Sequence, residues 1–188
     1  MINELAIMKL LLDKPEEEFN TNSLAKRLNK DYKNTYQAVQ RLEQKNALTL
    51  QPFGKAKKIK ITTTINPLLY QAEYERTQEL LNNKNLALLQ ETFQQLPPYY
   101  TLILFGSHAK KTTNKHSDID LLFIIPDNEQ HLEKEIQKIA RTLPLPLHIN
   151  IFTTKEFKAM KQSKEKTIGT EAITNHIILH GIENYYQL

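Results

Sequence analysis

Two aspartates separated by one residue stand at the start of an apolar run. Asp118 and Asp120 flank Ile119, and the run Ile119–Ile125 that they open is predicted to be a buried strand. Side chains alternate along a strand, so the two carboxylates point to the same side. Neighbouring carboxylates repel each other unless a cation lies between them, and divalent metal ions prefer oxygen ligands. The pair therefore predicts a divalent-metal site.

A Gly-Ser pair stands before the aspartates, with ten residues between Ser107 and Asp118. It follows a second apolar run, Leu102–Phe105, which is also predicted to be a buried strand that ends in a sharp turn. A Gly-Ser turn that leads into a helix offers backbone N–H groups and a hydroxyl to a phosphate. The two features together predict a site for a metal-bound nucleoside triphosphate.

This arrangement resembles the DNA polymerase β-like nucleotidyltransferase superfamily, especially its minimal members, over residues 96–155. The family pattern is Gly-Ser, a spacer and Asp-x-Asp among apolar residues, and Ser117–Leu121 (SDIDL) is a near-literal copy of it. The resemblance implies transfer of a nucleoside monophosphate from a nucleoside triphosphate, with ATP favoured, to an acceptor hydroxyl. It also implies two Mg²⁺ ions, catalytic and metal-binding roles for Asp118 and Asp120, and nucleotide-binding roles for Gly106 and Ser107. The alternative is an Asp-x-Asp that merely caps an edge strand and faces solvent.

The third carboxylate of this family normally lies on the next strand, and here the sequence departs from the pattern. The predicted third strand, Leu147–Phe152, presents His148 and Asn150 on its alternating outward positions, and neither is acidic. Asn150 keeps an oxygen ligand without its charge and is the predicted third catalytic residue, with His148 or a distant carboxylate as the alternatives. A histidine would give a nitrogen ligand, which Mg²⁺ favours poorly. We therefore expect nucleotide binding to survive while transfer is slow or absent.

The segment after Gly-Ser is also unusual for the family. Many minimal members carry a small residue followed by Arg-Gly, whereas this chain has Ala109-Lys110-Lys111. Lysine binds phosphate as a point charge, so Lys110 is a predicted nucleotide-binding residue. The alternative is that both lysines are merely solvated.

Composition places the chain among ordinary globular proteins. The 188 residues are 40% hydrophobic and 24% charged, with a net charge of +4 and no cysteine. The absence of cysteine excludes a disulfide framework and a cysteine-based zinc site. No apolar run has the length of a membrane span, so we expect a cytoplasmic protein without a membrane partner.

The positive charge is concentrated in the first third of the chain. Residues 1–65 carry 12 Lys/Arg against 7 Asp/Glu, a net charge of +5, whereas residues 66–188 carry 13 against 14, a net charge of −1. This asymmetry is expected if the amino-terminal segment binds a polyanion.

The amino-terminal third reads as three helices followed by two strands. A helix that is capped by Asn34 and runs to about Lys45 is predicted to bury Tyr36, Val39 and Leu42. Its outward residues are predicted to be Thr35, Gln37, Gln40 and Arg41. Strands are predicted at 48–51 and 59–65, with a basic turn at 52–58 between them.

This order resembles a winged helix-turn-helix, and Ser23–Leu48 resembles its second and third helices over their full length. The resemblance implies that the third helix enters the DNA major groove and that the wing contacts the DNA backbone. Polar side chains of the helix would reach base edges, and lysines would contact phosphate. The predicted DNA-binding residues are Lys33, Thr35, Gln37, Gln40, Arg41, Lys55, Lys57 and Lys58. The alternative is a winged helix that contacts proteins.

The predicted fold class is α+β in three parts. They are a winged helix-turn-helix at 1–65, a helical connector at 66–96, and a nucleotidyltransferase-like mixed sheet flanked by helices at 97–188. Near the carboxyl terminus, Thr167–His180 is predicted to be one helix that ends at Gly181.

Two functions are compatible with this organisation. The favoured one is a DNA-binding transcription regulator whose nucleotide-binding transferase domain is catalytically impaired. The alternative is an active Mg²⁺-dependent nucleotidyltransferase, similar to antitoxins that modify a partner toxin, with a protein or nucleic acid hydroxyl as acceptor. The partners expected are DNA, a nucleoside triphosphate, and either a toxin-like protein or a second copy of the chain.

Overall fold

The computed structural model describes residues 3–54, 56–64, 66–114, 117–163 and 168–188. The chain divides into two compact units, residues 1–73 and 74–188. Among the described helices, none combines the length and the apolar character needed to cross a membrane.

The first unit begins with three helices and a β-hairpin. Their bounds are α1 (Glu4–Asp13), α2 (Thr21–Arg27), α3 (Tyr32–Gln44), β1 (Leu48–Phe53) and β2 (Ala56–Ile61). β1 and β2 pair antiparallel from Leu48–Ile61 to Phe53–Ala56. The hairpin is therefore tighter than the sequence predicts, and Lys57 and Lys58 lie on a strand instead of in a basic loop.

Side-chain caps determine where the helices of this unit begin. Asn20 and Ser23 form a reciprocal capping box at α2, in which each side chain accepts a hydrogen bond from the other's backbone N–H. The Asp31 side chain accepts from the N–H of Asn34, so α3 begins before the predicted cap, Asn34. Asn46 follows α3 with a φ of 55°, the left-handed conformation that asparagine tolerates past a helix end.

The remaining helices and strands follow in chain order. They are α4 (Pro67–Leu80), which contains the division between the units, α5 (Lys84–Phe93), β3 (Thr101–Phe105), α6 (Gly106–Ala109), β4 (Ile119–Ile125), α7 (Gln130–Ala140), β5 (Leu147–Thr153), α8 (Thr154–Gln162), α9 (Ile168–Thr174), β6 (Ile177–His180) and α10 (Ile182–Gln187).

The second unit contains a four-stranded mixed sheet of order β5-β4-β3-β6. β3 is antiparallel to both β4 and β6, and β4 is parallel to β5. A parallel pair needs a crossover connection, which α7 provides between β4 and β5. The unit is an α+β fold with helices against its sheet, as the sequence predicts.

Alternation along the strands separates two apolar cores. Leu121 and Phe123 of β4 pack with residues of α5 and α7, whereas Leu122 and Ile124 pack with residues of α8, α9 and α10. Residues on alternate strand positions face opposite sides of a sheet. Asp120 therefore lies on the face shared with Leu122 and Ile124.

One predicted helix is wrong. Residues 168–180 form a short helix followed by strand β6, whose Ile177 and Ile178 pair with Leu104 and Ile103 of β3. The edge of the sheet would otherwise leave the backbone groups of β3 unpaired, and a β-branched apolar segment fits that position. Gly181 does adopt the left-handed conformation, with a φ of 77°, but it follows a strand instead of ending a helix.

Candidate functional site

Three residues form a row across the ends of three strands. Phe105, the last residue of β3, pairs with Asp120 of β4, and Asp120 pairs in turn with His148 of β5. Since the Gly-Ser turn follows Phe105 directly, the strand pairing places Gly106 beside Asp120. The row brings together the turn, the Asp-x-Asp and the predicted third strand.

Gly106 makes the closest approach in this row. Its φ is +67°, a conformation that L side chains rarely adopt, and a Cβ added to it would lie 2.1 Å from Asp120 Oδ2. No side chain fits there without displacing the carboxylate. The glycine of the Gly-Ser pair is therefore required both by the backbone turn and by the position of Asp120.

The two aspartates occupy different environments at the start of β4. Asp118 immediately precedes the strand and is exposed, whereas the side chain of Asp120 is 25% exposed. The intervening Ile119 donates its N–H to the carbonyl of Pro146 at 2.8 Å. This hydrogen bond fixes the Asp-x-Asp segment beside the residue that precedes β5.

His148, and not Asn150, contacts the Asp-x-Asp. Its Nδ1 lies 3.1 Å from Asp120 Oδ1, and its side chain is 59% exposed. Asn150 pairs with Leu122, one step farther along the same face, and its buried Nδ2 has no hydrogen-bond partner among the described residues. The imidazole of His148 therefore lies beside Asp120, on the strand that carries a third carboxylate in the family pattern.

The residues after Gly106 are held by α6 and α9. Lys110 forms an ion pair with Glu171 of α9, with 2.7 Å between Nζ and Oε1. The Ser107 carbonyl accepts a hydrogen bond from the N–H of Thr112. His108 has a buried Nε2 that lacks a hydrogen-bond partner within the described part of the chain. Glu171 is far from the motif in sequence, and no pattern in the sequence pointed to it.

The donor atoms suit one divalent cation better than two. Asp118 and Asp120 offer carboxylate oxygens, the ligands that Mg²⁺ prefers, whereas His148, which lies 3.1 Å from Asp120, offers a nitrogen that Mg²⁺ favours poorly. However, no group of three metal-ligating side chains converges in the residues that the structure describes. By ligand type, Asp118 and Asp120 could hold a single ion, whereas two Mg²⁺ ions held by three carboxylates would need an acidic residue that β5 lacks.

The first unit contains the predicted DNA-binding residues, and α3 is rotated relative to the prediction. Thr35 is fully buried and its hydroxyl donates to the Asp31 carbonyl at 2.8 Å, whereas Tyr36 is 46% exposed. Because α3 begins at Tyr32, its buried face is Thr35, Ala38, Val39 and Leu42. The prediction that Thr35 faces outward and Tyr36 faces the core is wrong, so Thr35 is not placed to contact a base.

Arg41 and Lys58, two of the predicted DNA-binding residues, form ion pairs with acidic side chains. Arg41 Nε lies 2.7 Å from Glu4 Oε1, Lys45 binds the other oxygen of Glu4, and Lys58 pairs with Glu18. Burial would raise the pKa of Glu4, but hydrogen bonds from Lys45 and Arg41 outweigh it and hold that pKa below its usual value.

The other predicted DNA-binding residues remain accessible where they are described. Lys33, Gln37 and Lys57 are exposed, and Gln40 is half-buried. Lys55 lies outside the described residues.

The family model for the nucleotidyltransferase domain matches residues 86–173. A relative from Haemophilus influenzae, described as a probable protein adenylyltransferase MntA, is 30% identical over 100 residues, which cover 47% of this chain and 88% of the relative. A crystal structure from Sulfolobus solfataricus, described as a nucleotidyltransferase, is 20% identical and covers 50% of this chain and 83% of that one, with a TM-score of 0.32. The family match lies within the second unit and includes Gly106, Asp118, Asp120 and His148.

Proposed function

Because the chain belongs to the nucleotidyltransferase family, we propose that its second unit binds a nucleoside triphosphate, with ATP favoured, at the Gly-Ser turn and the Asp-x-Asp. The observation that carries this proposal is the packing of Gly106 against the Asp120 carboxylate. That contact aligns the turn that would hold the phosphates with the carboxylates that would hold their Mg²⁺ ion.

Each residue of the site has a distinct task in this proposal. Gly106 and Ser107 contact the phosphates through backbone N–H groups and the hydroxyl, and Asp118 and Asp120 ligate the cation. Lys110 can turn from Glu171 to the triphosphate, since the ion pair it leaves is exposed and therefore contributes little to stability. A Mg²⁺ ion held there would offset part of the negative charge of the triphosphate.

We propose further that transfer of the nucleotide is weak. In two-metal transfer the third carboxylate helps to hold the ion that activates the attacking hydroxyl. His148 occupies the position beside Asp120 and Asn150 the next one on that face, so this charge is missing. A site that binds a nucleotide and turns it over slowly is suited to sensing.

The first unit has the element order of a winged helix, and we propose that it binds DNA. The net charge of +5 in residues 1–65 and the exposed Lys33, Gln37 and Lys57 support this role. The whole protein would then be a transcription regulator whose second unit senses a nucleotide.

The name of the Haemophilus influenzae relative favours a second candidate function, the adenylylation of a protein. In that reaction an acceptor hydroxyl oxygen attacks the α-phosphorus of ATP, the bond to the β-phosphate oxygen breaks, and pyrophosphate leaves. The hydroxyl proton passes to a base, and a phosphodiester to AMP remains on the acceptor. Such activity would require His148 or Asn150 to replace the third carboxylate.

Calorimetric titration of the full chain with Mg²⁺-ATP and Mg²⁺-GTP tests the proposed site. We expect binding that disappears in the Asp118→Ala/Asp120→Ala variant and persists in Glu91→Ala/Glu183→Ala, which removes two exposed carboxylates from α5 and α10 of the same unit. Equal nucleotide affinity in all three proteins would contradict the proposal. Incubation with α-labelled ATP and purified partner proteins then distinguishes sensing from adenylylation.

A further inference from the structure

Two tyrosines form an exposed aromatic surface on α3. Tyr32 is 55% exposed and Tyr36 is 46% exposed, and their rings stack with centroids 6.1 Å apart and an angle of 19° between the planes. Residues four apart lie on the same face of a helix. This face is separate from the buried one, which contains Thr35, Val39 and Leu42. The core of the unit therefore does not account for the position of these rings.

The tyrosines line a groove of about 620 Å³ between α3, the start of α2 and the hairpin. Asn22 and Gln40 contribute amide groups to its wall, Lys57 contributes a positive charge, and Pro52 contributes apolar surface. An aromatic platform with hydrogen-bonding groups and a cation beside it has the chemistry that binds a nucleobase and its phosphate.

Three side chains of this unit that were predicted to contact duplex DNA are buried or bound to acidic residues. Thr35 is buried, Arg41 is bound to Glu4, and Lys58 is bound to Glu18. These are three of the seven described side chains that were predicted to contact DNA, and the other four are Lys33, Gln37, Gln40 and Lys57. Direct readout needs side chains free to form paired hydrogen bonds with base edges, whereas stacking needs only an accessible ring face.

We propose that this groove binds single-stranded DNA, with an unpaired base stacked on the Tyr32–Tyr36 pair. The amides of Asn22 and Gln40 contact the edge of that base, and Lys57 contacts a neighbouring phosphate. In a duplex the faces of a base are covered by its neighbours, so the stacking contact is lost. This inference rests on the proposed function, in which the first unit binds nucleic acid. It adds that the unit prefers single-stranded DNA to duplex DNA.

Fluorescence anisotropy of the full chain with a labelled single strand, and with the same strand annealed to its complement, tests this inference at matched salt. The test variant is Tyr32→Ala/Tyr36→Ala. The matched control is Tyr74→Ala/Tyr99→Ala, which removes two exposed tyrosines from the second unit. Tyr32→Phe/Tyr36→Phe keeps the aromatic faces and shows whether stacking or the hydroxyls carry the binding.

We expect tighter binding of the single strand than of the duplex. The alanine variant should weaken single-strand binding about fivefold to a hundredfold, and the phenylalanine variant and the control should leave it unchanged. Thermal melting establishes that the alanine variant remains folded, and if it does not, single substitutions at Tyr32 and Tyr36 replace it.

Two results would overturn the inference in different ways. Equal or tighter binding of the duplex, unaffected by the alanine substitutions, would refute the groove and leave DNA binding by the first unit intact. Binding to neither form, in a protein that still binds Mg²⁺-ATP by calorimetry, would refute both the groove and the proposed DNA-binding role. That outcome would leave the nucleotide site of the second unit standing.

Discussion

Gly106 packs so closely against Asp120 that any side chain at position 106 would displace the Asp120 carboxylate. A Cβ on Gly106 would lie 2.1 Å from Oδ2 and 2.9 Å from Cγ of Asp120. The turn that would hold phosphate and the carboxylate that would hold a cation are therefore in direct contact, at the end of β3 and the start of β4.

Replacement of Gly106 by alanine should abolish nucleotide binding, because the new methyl group displaces the Asp120 carboxylate. The φ of +67° adds backbone strain of about 1 kcal/mol. Calorimetry with Mg²⁺-ATP measures the loss, and melting curves measure the strain. Gly54→Ala is the matched control, because Gly54 has a φ of +57° and nothing within 4 Å of its added Cβ. Nucleotide affinity in Gly106→Ala equal to that of Gly54→Ala would contradict this account.

Replacement of His148 by aspartate should make the stability of the second unit depend on Mg²⁺. The substitution places two carboxylates side by side at the row formed with Asp120, where they repel until a divalent cation binds between them. We expect a lower melting temperature without Mg²⁺ than in the parent protein and a larger rise when Mg²⁺ is added.

His148→Asn is the control for this change, because it removes the contact with Asp120 without adding charge. Its melting temperature should respond to Mg²⁺ no more than that of the parent protein. A response as large as that of His148→Asp would show that loss of the imidazole, and not the added carboxylate, produces the effect.

Replacement of Thr35 by valine should affect stability and leave nucleic acid binding unchanged. The Thr35 side chain is fully buried and its hydroxyl donates to the Asp31 carbonyl, so the substitution removes one hydrogen bond at a cost of about 1 kcal/mol. Urea denaturation measures this cost. Lys33→Ala should behave in the opposite way, with unchanged stability and a salt dependence of binding reduced by a slope of about 1. Weaker DNA binding by folded Thr35→Val would show that this residue contacts DNA after all.

Replacement of Glu4 by glutamine should strengthen nucleic acid binding, because it releases Arg41 and Lys45 from a carboxylate they share. Anisotropy titrations at several salt concentrations should show higher affinity and a steeper salt dependence. Glu91→Gln, an exposed position in the second unit, makes the same change of net charge and should have little effect. Similar gains in both variants would indicate that net charge alone is responsible.

The same glutamate makes the first unit sensitive to acid. Its folded-state pKa lies below the ordinary value of 4.5, so it contributes stability above that value, and the contribution is lost as the pH falls through the folded-state pKa. Denaturation of the parent protein and Glu4→Gln between neutral and acid pH should therefore give curves that converge at low pH.

Tyr100 should make the second unit sensitive to alkali. Burial raises its pKa from 10.0 to about 12, and its hydroxyl donates to the Phe93 carbonyl at 2.6 Å. The folded state holds this proton more tightly than the unfolded state, so stability is full below pH 10 and declines as the pH rises towards about 12. Tyr100→Phe should lose less stability over this interval than the parent protein, whereas Tyr99→Phe, at an exposed position, should match the parent.

Local sequence patterns were sufficient for much of the second unit. The strands β3, β4 and β5 were predicted within one or two residues, because apolar runs bounded by Gly-Ser, Asp-x-Asp and prolines are local features. The presence of Gly-Ser and Asp-x-Asp likewise predicted that the turn and the carboxylates belong to one site. By contrast, β6 was predicted to be helical, because only its position at the open edge of β3 favours the extended conformation.

The tertiary structure decided which face of α3 is buried and which residues of β4 and β5 lie opposite each other. The Asp31 cap moved the start of α3 and exchanged the environments of Thr35 and Tyr36, and this exchange created the aromatic groove. The parallel register of β4 and β5 placed His148, and not Asn150, beside Asp120. Glu4, Glu18 and Glu171 form ion pairs with Arg41, Lys58 and Lys110, which were predicted to contact DNA or the nucleotide.

The sequence by itself therefore determined the elements of the proposed nucleotide site and the type of residue at each position. Only the tertiary structure decided which atoms meet, because contacts such as Asp120–His148 and Gly106–Asp120 join residues from separate strands and depend on pairing that no local pattern contains.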